Sequence, residues 1–152
     1  MRGSNMNNPA YQAYDKDFYA WAIHTAELLR QGKFNEVDIE NVAEEIESMG
    51  RSDKRSLTNR LAVLMAHLLK WKIQPERRSR SWKLTVKEQR IRVTRLLKTS
   101  PSLKHEVNST LSEAYEQAVV IAARQTELDE SVFPEKCPFS LNHCLDEQFF
   151  PE

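Results

Sequence analysis

Three observations predict an all-α fold. Apolar residues recur at steps of three and four over long runs, the spacing that puts them on one face of a helix. All six prolines (Pro9, Pro75, Pro101, Pro134, Pro138 and Pro151) fall outside those runs, as helices demand of a residue that blocks the backbone ladder. No run alternates with the period of two that a half-buried strand would show. The expected architecture is a bundle of four main helices, with a long central second helix and a short helix near the C-terminus. At 152 residues the chain reads as one domain, residues 6–152, large enough to bury roughly two thirds of its unfolded surface. Met1-Arg2-Gly3-Ser4 reads as an expression leader, so residues 1–5 are set apart and Met6 is taken as the natural start.

The first helix is expected from Tyr14 to Gln31. Phe18, Trp21, Ala22, Thr25, Leu28 and Leu29 form its buried aromatic face, and Gly32 stops it where a left-handed cap is needed. Asp15 and Asp17 fall in its opening turn, where carboxylates suit the helix dipole, and His24 reads as a packing or surface residue. Asp38 reads as the N-cap of the second helix, with Asn41 three residues on. From Val42 to Trp71, the residues Val42, Ile46, Met49, Leu57, Leu61, Leu64, Leu68 and Trp71 make one buried stripe. Unbroken, these thirty residues would extend about 45 Å; Gly50 marks the place where a bend or break would come.

After the polar loop Gln74 to Ser81, a third helix carries Trp82, Val86, Val93 and Leu97 inward. Leu84 and Ile91 lie on its opposite side, so a second cover is expected there, from the C-terminal tail or from another subunit. Thr99-Ser100-Pro101-Ser102 is the next boundary. Leu103, Val107, Leu111, Ala114, Tyr115, Ala118 and Ala122 define a fourth helix to about Gln125. A short helix over Ser140 to Gln148 is expected to dock Phe149 and Phe150 on the bundle.

Net charge is zero but unevenly spread. Residues 1–50 hold four basic and nine acidic side chains, residues 51–98 fifteen and three, and residues 99–152 three and ten. Such asymmetry suits an anionic partner, or acidic ends that neutralise a basic centre. The longest apolar run, Leu61 to Leu69, is interrupted by His67 and is far shorter than the ~20 residues that cross a bilayer. No signal-peptide pattern opens the chain, so a cytoplasmic protein without a membrane partner is expected. Cys137 and Cys144 read as ordinary reduced thiols; a disulfide, or half a zinc site with His143, is the other option their spacing leaves.

The titratable residues supply the candidate chemistry. Lys70, Lys72, Arg77, Arg78, Arg80, Lys83, Lys87, Arg90, Arg92, Arg95 and Lys98 face only Glu76 and Glu88. With Trp71 and Trp82 among them, they have the outline of a nucleic-acid surface, cations for phosphates and rings for unpaired bases. Both tryptophans, however, fall on core stripes and read as buried. Arg77, Arg78, Arg80, Lys83 and Lys87 are the expected nucleic-acid contacts. Glu40, Glu44 and Glu47 crowd one side of the central helix and need a cation. Pairing with Arg90, Arg92, Lys83 or Lys87 would supply one, and a divalent metal is the functional alternative. His67 sits at the edge of the buried stripe, suited to general-base work or to ligation. Glu47 and His67 are separated by about 30 Å of rise in a straight helix, so only a bend or a second subunit would unite them. No metal ligands and no cofactor are assigned.

Tyr14-x-x-x-Phe18-x-x-Trp21, Glu44-Glu45-Ile46-Glu47-Ser48-Met49-Gly50, Leu64-x-x-His67-Leu68-Leu69-Lys70, Ser81-Trp82, Arg90 and Ser100-Pro101-Ser102-Leu103 occur in that order. Together with Ala114-Tyr115-x-x-Ala118 and Cys137-Pro138-Phe139, this string resembles the bacterial family catalogued as domain of unknown function twenty-nine. The resemblance implies a small all-helical fold with Glu44, Glu45, Glu47, His67, Trp82 and Arg90 as signature residues. It implies no activity.

The functional expectation is a nucleic-acid-binding domain with RNA as partner. Its enzymatic form would be a small ribonuclease in which Glu44, Glu47, His67 and Arg90 act as dispersed catalytic groups. The alternative is a non-enzymatic regulatory or protein-interaction module, a homodimer using the Leu84/Ile91 face.

Overall fold

The computed structural model describes residues 9–152; the expected leader and the start at Met6 lie outside the described residues. Among the described residues six α-helices follow one another: α1 (Pro9–Lys16), α2 (Phe18–Arg30), α3 (Ile39–Ile73), α4 (Arg80–Thr99), α5 (Val107–Thr126) and α6 (Leu141–Leu145). Short 3-10 turns at Phe34–Glu36, Pro75–Arg77, Pro101–Glu106 and Glu130–Val132 link them. Among the described residues there is no strand. The all-α bundle around a long central helix is what the periodicity predicts. Two compact units divide the chain, one ending at Arg51 and the other running from Ser52 to Glu152.

In the first unit the expected helix from Tyr14 to Gln31 is two helices. Asp17 leaves the helical region (φ −149°, ψ 86°) and its carboxylate accepts the amide of Ala20. The short acidic side chain competes with the backbone ladder and caps a new helix instead of sitting inside an old one. Tyr14 packs edge-on to Trp21, ring centroids 4.8 Å apart, in a small core of Trp21, Leu28 and Val37 joined by Val42. Gly32 (φ +73°) closes α2: its amide donates to Leu29 O and that of Lys33 to Leu28 O, the paired 5→2 and 6→1 bonds of a Schellman motif. Asp38 accepts both the backbone amide and the side-chain amide of Asn41 (3.3 and 2.6 Å) at the head of α3.

Two burial expectations are corrected here. Phe18 and Leu29 are exposed, as are Ile46 (63%) and Met49 (68%) on the first turns of α3. The apolar stripe of α3 continues in sequence, but among the described residues of the unit ending at Arg51 its cover is the three-residue core, against which Val42 packs. Gly50 lies within α3 and does not break it.

In the second unit the remainder of α3 forms the centre of the core. Leu57, Leu61, Leu64, Met65, Leu68 and Leu69 are fully buried against Val86, Val93 and Leu97 of α4 and against α5. On α5 the buried side chains at Ala114, Ala118 and Ala122 recur every fourth residue; such small residues let helix backbones approach closely. Pro101 opens a 3-10 turn that holds Leu103, so α5 begins at Val107, later than the apolar pattern suggests.

The chain beyond α5 is packed rather than loose. Glu127 adopts the left-handed conformation (φ 61°) that ends α5. The hydroxyl of Tyr115 donates to Pro134 O at 2.5 Å, and Phe133, Phe139 and Cys144 enter the core. Ser140 and His143 form a capping box around α6, with Ser140 Oγ accepting the His143 amide and His143 Nδ1 accepting the Ser140 amide. Phe149 and Phe150 dock against the core as expected. Leu84 and Ile91, by contrast, remain 51% and 45% exposed, so the tail does not cover that face.

Candidate nucleic-acid interface

The basic stretch is organised by the turn between α3 and α4. Pro75 ends the α3 run and opens a 3-10 turn, and Ser79 then caps α4 by accepting the Trp82 amide at 3.2 Å. Arg78 folds back: its Nε donates to Trp71 O at 2.7 Å and its guanidinium lies 4.7 Å from the centre of the Trp71 ring. Lys83 Nζ lies 5.7 Å from that ring. Phe150 packs against Trp71 with ring centroids 4.6 Å apart. On the neighbouring tryptophan, Lys70 Nζ lies 4.5 Å from the ring centre of Trp82 and donates to Gln125 Oε1 at 2.7 Å. Lys70 is itself buried, which pushes its pKa down.

Both tryptophans are therefore half-buried, a correction to the expectation that they are core residues. Trp71 lies in the last turn of α3 and Trp82 in the first turn of α4, so each stripe reaches solvent at the turn end of the bundle. The cations found against their rings are the attraction of a positive charge for an aromatic face.

Around this turn lie two clefts. The larger, about 480 Å³, is lined by Trp71 and Phe150, by Lys83, Lys87 and Arg90 from α4, and by Glu147 and Gln148 from the tail. The smaller, about 340 Å³, shares Trp71 and Lys83 and adds Arg78, Ser79 and Arg80. Of the five expected nucleic-acid contacts, Arg78, Arg80, Lys83 and Lys87 line one cleft or the other. Arg77 is exposed on the 3-10 turn and lines neither.

Glu44 and Glu47 stand in the unit that ends at Arg51, and the cation that compensates them is Arg51 itself, at 2.8 Å and 3.6 Å. The sequence reading named cations of α4; a partner at i+4 and i+7 on the same helix was already within reach. Glu45 accepts the Tyr14 hydroxyl at 2.6 Å, and that bond, with the nearby carboxylate charge, raises the Tyr14 pKa to about 12.

His67 and Arg90 stand in the second unit. His67 is half-buried, and its Nδ1 lies 2.9 Å from Val63 O. The carbonyl can only accept, so Nδ1 carries the proton and Nε2 the lone pair. Burial, aided by the Lys70 charge, holds the ring's pKa below its ordinary value and outweighs the opposing Val63 bond; the imidazole is neutral at pH 7. Arg90 is 3% exposed. Its Nε donates to Cys144 O, one terminal nitrogen to His143 O and Phe149 O, and the other to Glu147 O, at 3.0, 3.1, 2.6 and 3.4 Å. This guanidinium fastens the C-terminal segment to α4.

Cys137 and Cys144 are free thiols, and burial raises both their pKa values, that of Cys144 to about 12. Among the described residues no three His, Cys, Asp or Glu side chains converge as metal ligands. No described helix is long and apolar enough to cross a membrane.

Residues 13–150 match the family described as Domain of unknown function DUF29. The chain belongs to that family. No curated protein and no solved structure matches it. Two of the residues by which a DUF29 chain was recognised thus have visible structural work here: Arg90 anchors the tail, and Trp82 receives the buried Lys70. Glu147, Gln148 and Phe150, which complete the larger cleft, escaped the sequence reading. The Phe149-Phe150 pair signals docking, yet the pattern does not reveal that it docks beside Trp71.

Proposed function

We propose that this chain is a nucleic-acid-binding domain that takes RNA on the turn between α3 and α4. The observation that carries the reading is the gathering of Arg78, Arg80, Lys83 and Lys87 along two adjoining clefts that share an aromatic wall. Cations in this setting neutralise phosphates and release counterions, so affinity falls steeply with salt. Four phosphate contacts on a single strand predict a slope of about −3 in log K against log salt. Fluorescence anisotropy on labelled RNA between low and moderate salt tests this, and no binding even at low salt would sink it.

The ribonuclease reading draws on the neutral His67, whose Nε2 suits a general base. It draws less on Arg90, whose donors are committed to four carbonyls. A cleavage assay comparing the wild type with His67→Ala and Glu47→Ala, without and with divalent ions, tests it; activity unchanged in both variants would end it. Exposure of Leu84 and Ile91 favours the second reading, an interaction module that pairs through this face. Light scattering that gives a strict monomer at high concentration removes its homodimeric form.

A further inference from the structure

We infer that the larger cleft seats one unpaired nucleotide, which makes the domain a reader of single strands rather than of duplexes. This rests on the nucleic-acid reading and goes beyond it, because charge alone would serve either form. The cleft's volume, about 480 Å³, falls in the range that encloses a small ligand. Its lining is divided by chemistry. Lys83 and Lys87, one turn apart on α4 and exposed, offer cations to a phosphate. Trp71 and Phe150 line the cleft with aromatic surface, Arg78 and Lys83 lying by the Trp71 ring and Arg90 5.4 Å from the centre of the Phe150 ring; apolar lining of this kind suits a planar ring.

Glu147 and Gln148 of the tail line the same cleft. A carboxylate there repels a bare anion and accepts hydrogen bonds from N–H groups, and an amide offers both a donor and an acceptor. The fitting ligand carries negative charge at one end and a flat group edged with N–H donors at the other. Inorganic phosphate has only the first of these, and a nucleotide has both. In a duplex, the base edge that would meet Glu147 and Gln148 is occupied by its pairing partner, and both faces of the base are stacked. A paired base therefore has nothing to offer this cleft, whereas an unpaired base can be splayed into it.

The smaller cleft gives the strand a continuation. It shares Trp71 and Lys83 with the larger one, so a phosphate at Lys83 lies on the wall between the two, and Arg78 and Arg80 meet the next part of the backbone. The two clefts are successive stations on one strand.

The test uses the full chain and an eight-nucleotide RNA, free or annealed to its complement, at one salt concentration. Single strand is expected to bind at least tenfold tighter than duplex. A nucleoside monophosphate is expected to compete, and inorganic phosphate at equal concentration is not. Glu147→Gln, at an exposed site where folding is checked by circular dichroism, is expected to weaken single-strand binding several-fold with the salt slope unchanged. Lys83→Gln is expected to lower the slope instead. Equal affinity for both forms, with Glu147→Gln silent and salt-sensitive binding intact, would overturn the nucleotide seat and leave the nucleic-acid reading standing. Loss of all binding at low salt would overturn both.

Discussion

Replacing Arg90 by alanine should remove the clamp that holds residues 143–149 on α4. Three of its four contacts are short, at 2.6, 3.0 and 3.1 Å, and the fourth, at 3.4 Å, is marginal. Hydrogen bonds from a charged donor contribute about 1.5–3 kcal/mol each, so the three short bonds at the lower limit amount to about 4–5 kcal/mol. Part of this already offsets the cost of burying the guanidinium, whose pKa is pushed down by desolvation. The net loss should be about 3–5 kcal/mol, the usual cost of breaking a buried charged interaction from one side. Set against a typical total stability of about 5–15 kcal/mol, that is a large fraction. At about 2–4 °C per kcal/mol for a chain of this size, the melting temperature should fall by about 10 °C. Arg90→Lys keeps the charge but loses the planar fork, and should recover less than half of the loss. Urea unfolding followed by circular dichroism gives the free energies, and limited proteolysis reports whether the tail opens first. An Arg90→Ala protein within about 1 kcal/mol of the wild type, with its tail equally protected, would refute the clamp.

Gly50 lies inside α3 with no atom within 4 Å of an added Cβ; Gly50→Ala should stabilise by about 1 kcal/mol in the same urea experiment, and a loss of stability would show a contact that this helix face does not have. The pKa of His67 lies below its ordinary 6.5 in the folded protein. Between the folded value and 6.5 the unfolded chain binds the proton and the folded one does not, so stability should fall as pH drops through that window. An NMR titration midpoint at or above 6.5, or an unchanged pH slope in His67→Phe, would contradict this. Cys144, fully buried with its pKa raised to about 12, should resist thiol reagents until the protein unfolds, since the thiolate is the reactive species. Rapid labelling in native buffer would be the opposing result.

The sequence by itself determined the helical class, because a period near 3.6 and the placement of proline are local properties that the backbone must obey. It determined the Gly32 stop and the Asp38 cap, which depend on residues at most a few positions apart. It determined, too, that residues 70–98 carry an excess of positive charge. What it reported less well was any outcome set by competition between partners. Asp17 splits the first helix because its carboxylate wins an amide from the ladder. Ile46 and Met49 keep the stripe's spacing yet stay exposed, since periodicity marks a face without supplying its cover.

Only the tertiary structure decided the roles of the distant groups. Arg90 read as a catalytic cation until the carbonyls of residues 143–149 arrived around it from more than fifty positions away. Trp71 became the wall of a cleft because Phe150 packs beside it. Side-chain chemistry is written in the sequence, but whether a cation meets solvent, a ring or a carbonyl depends on which segments the core draws together.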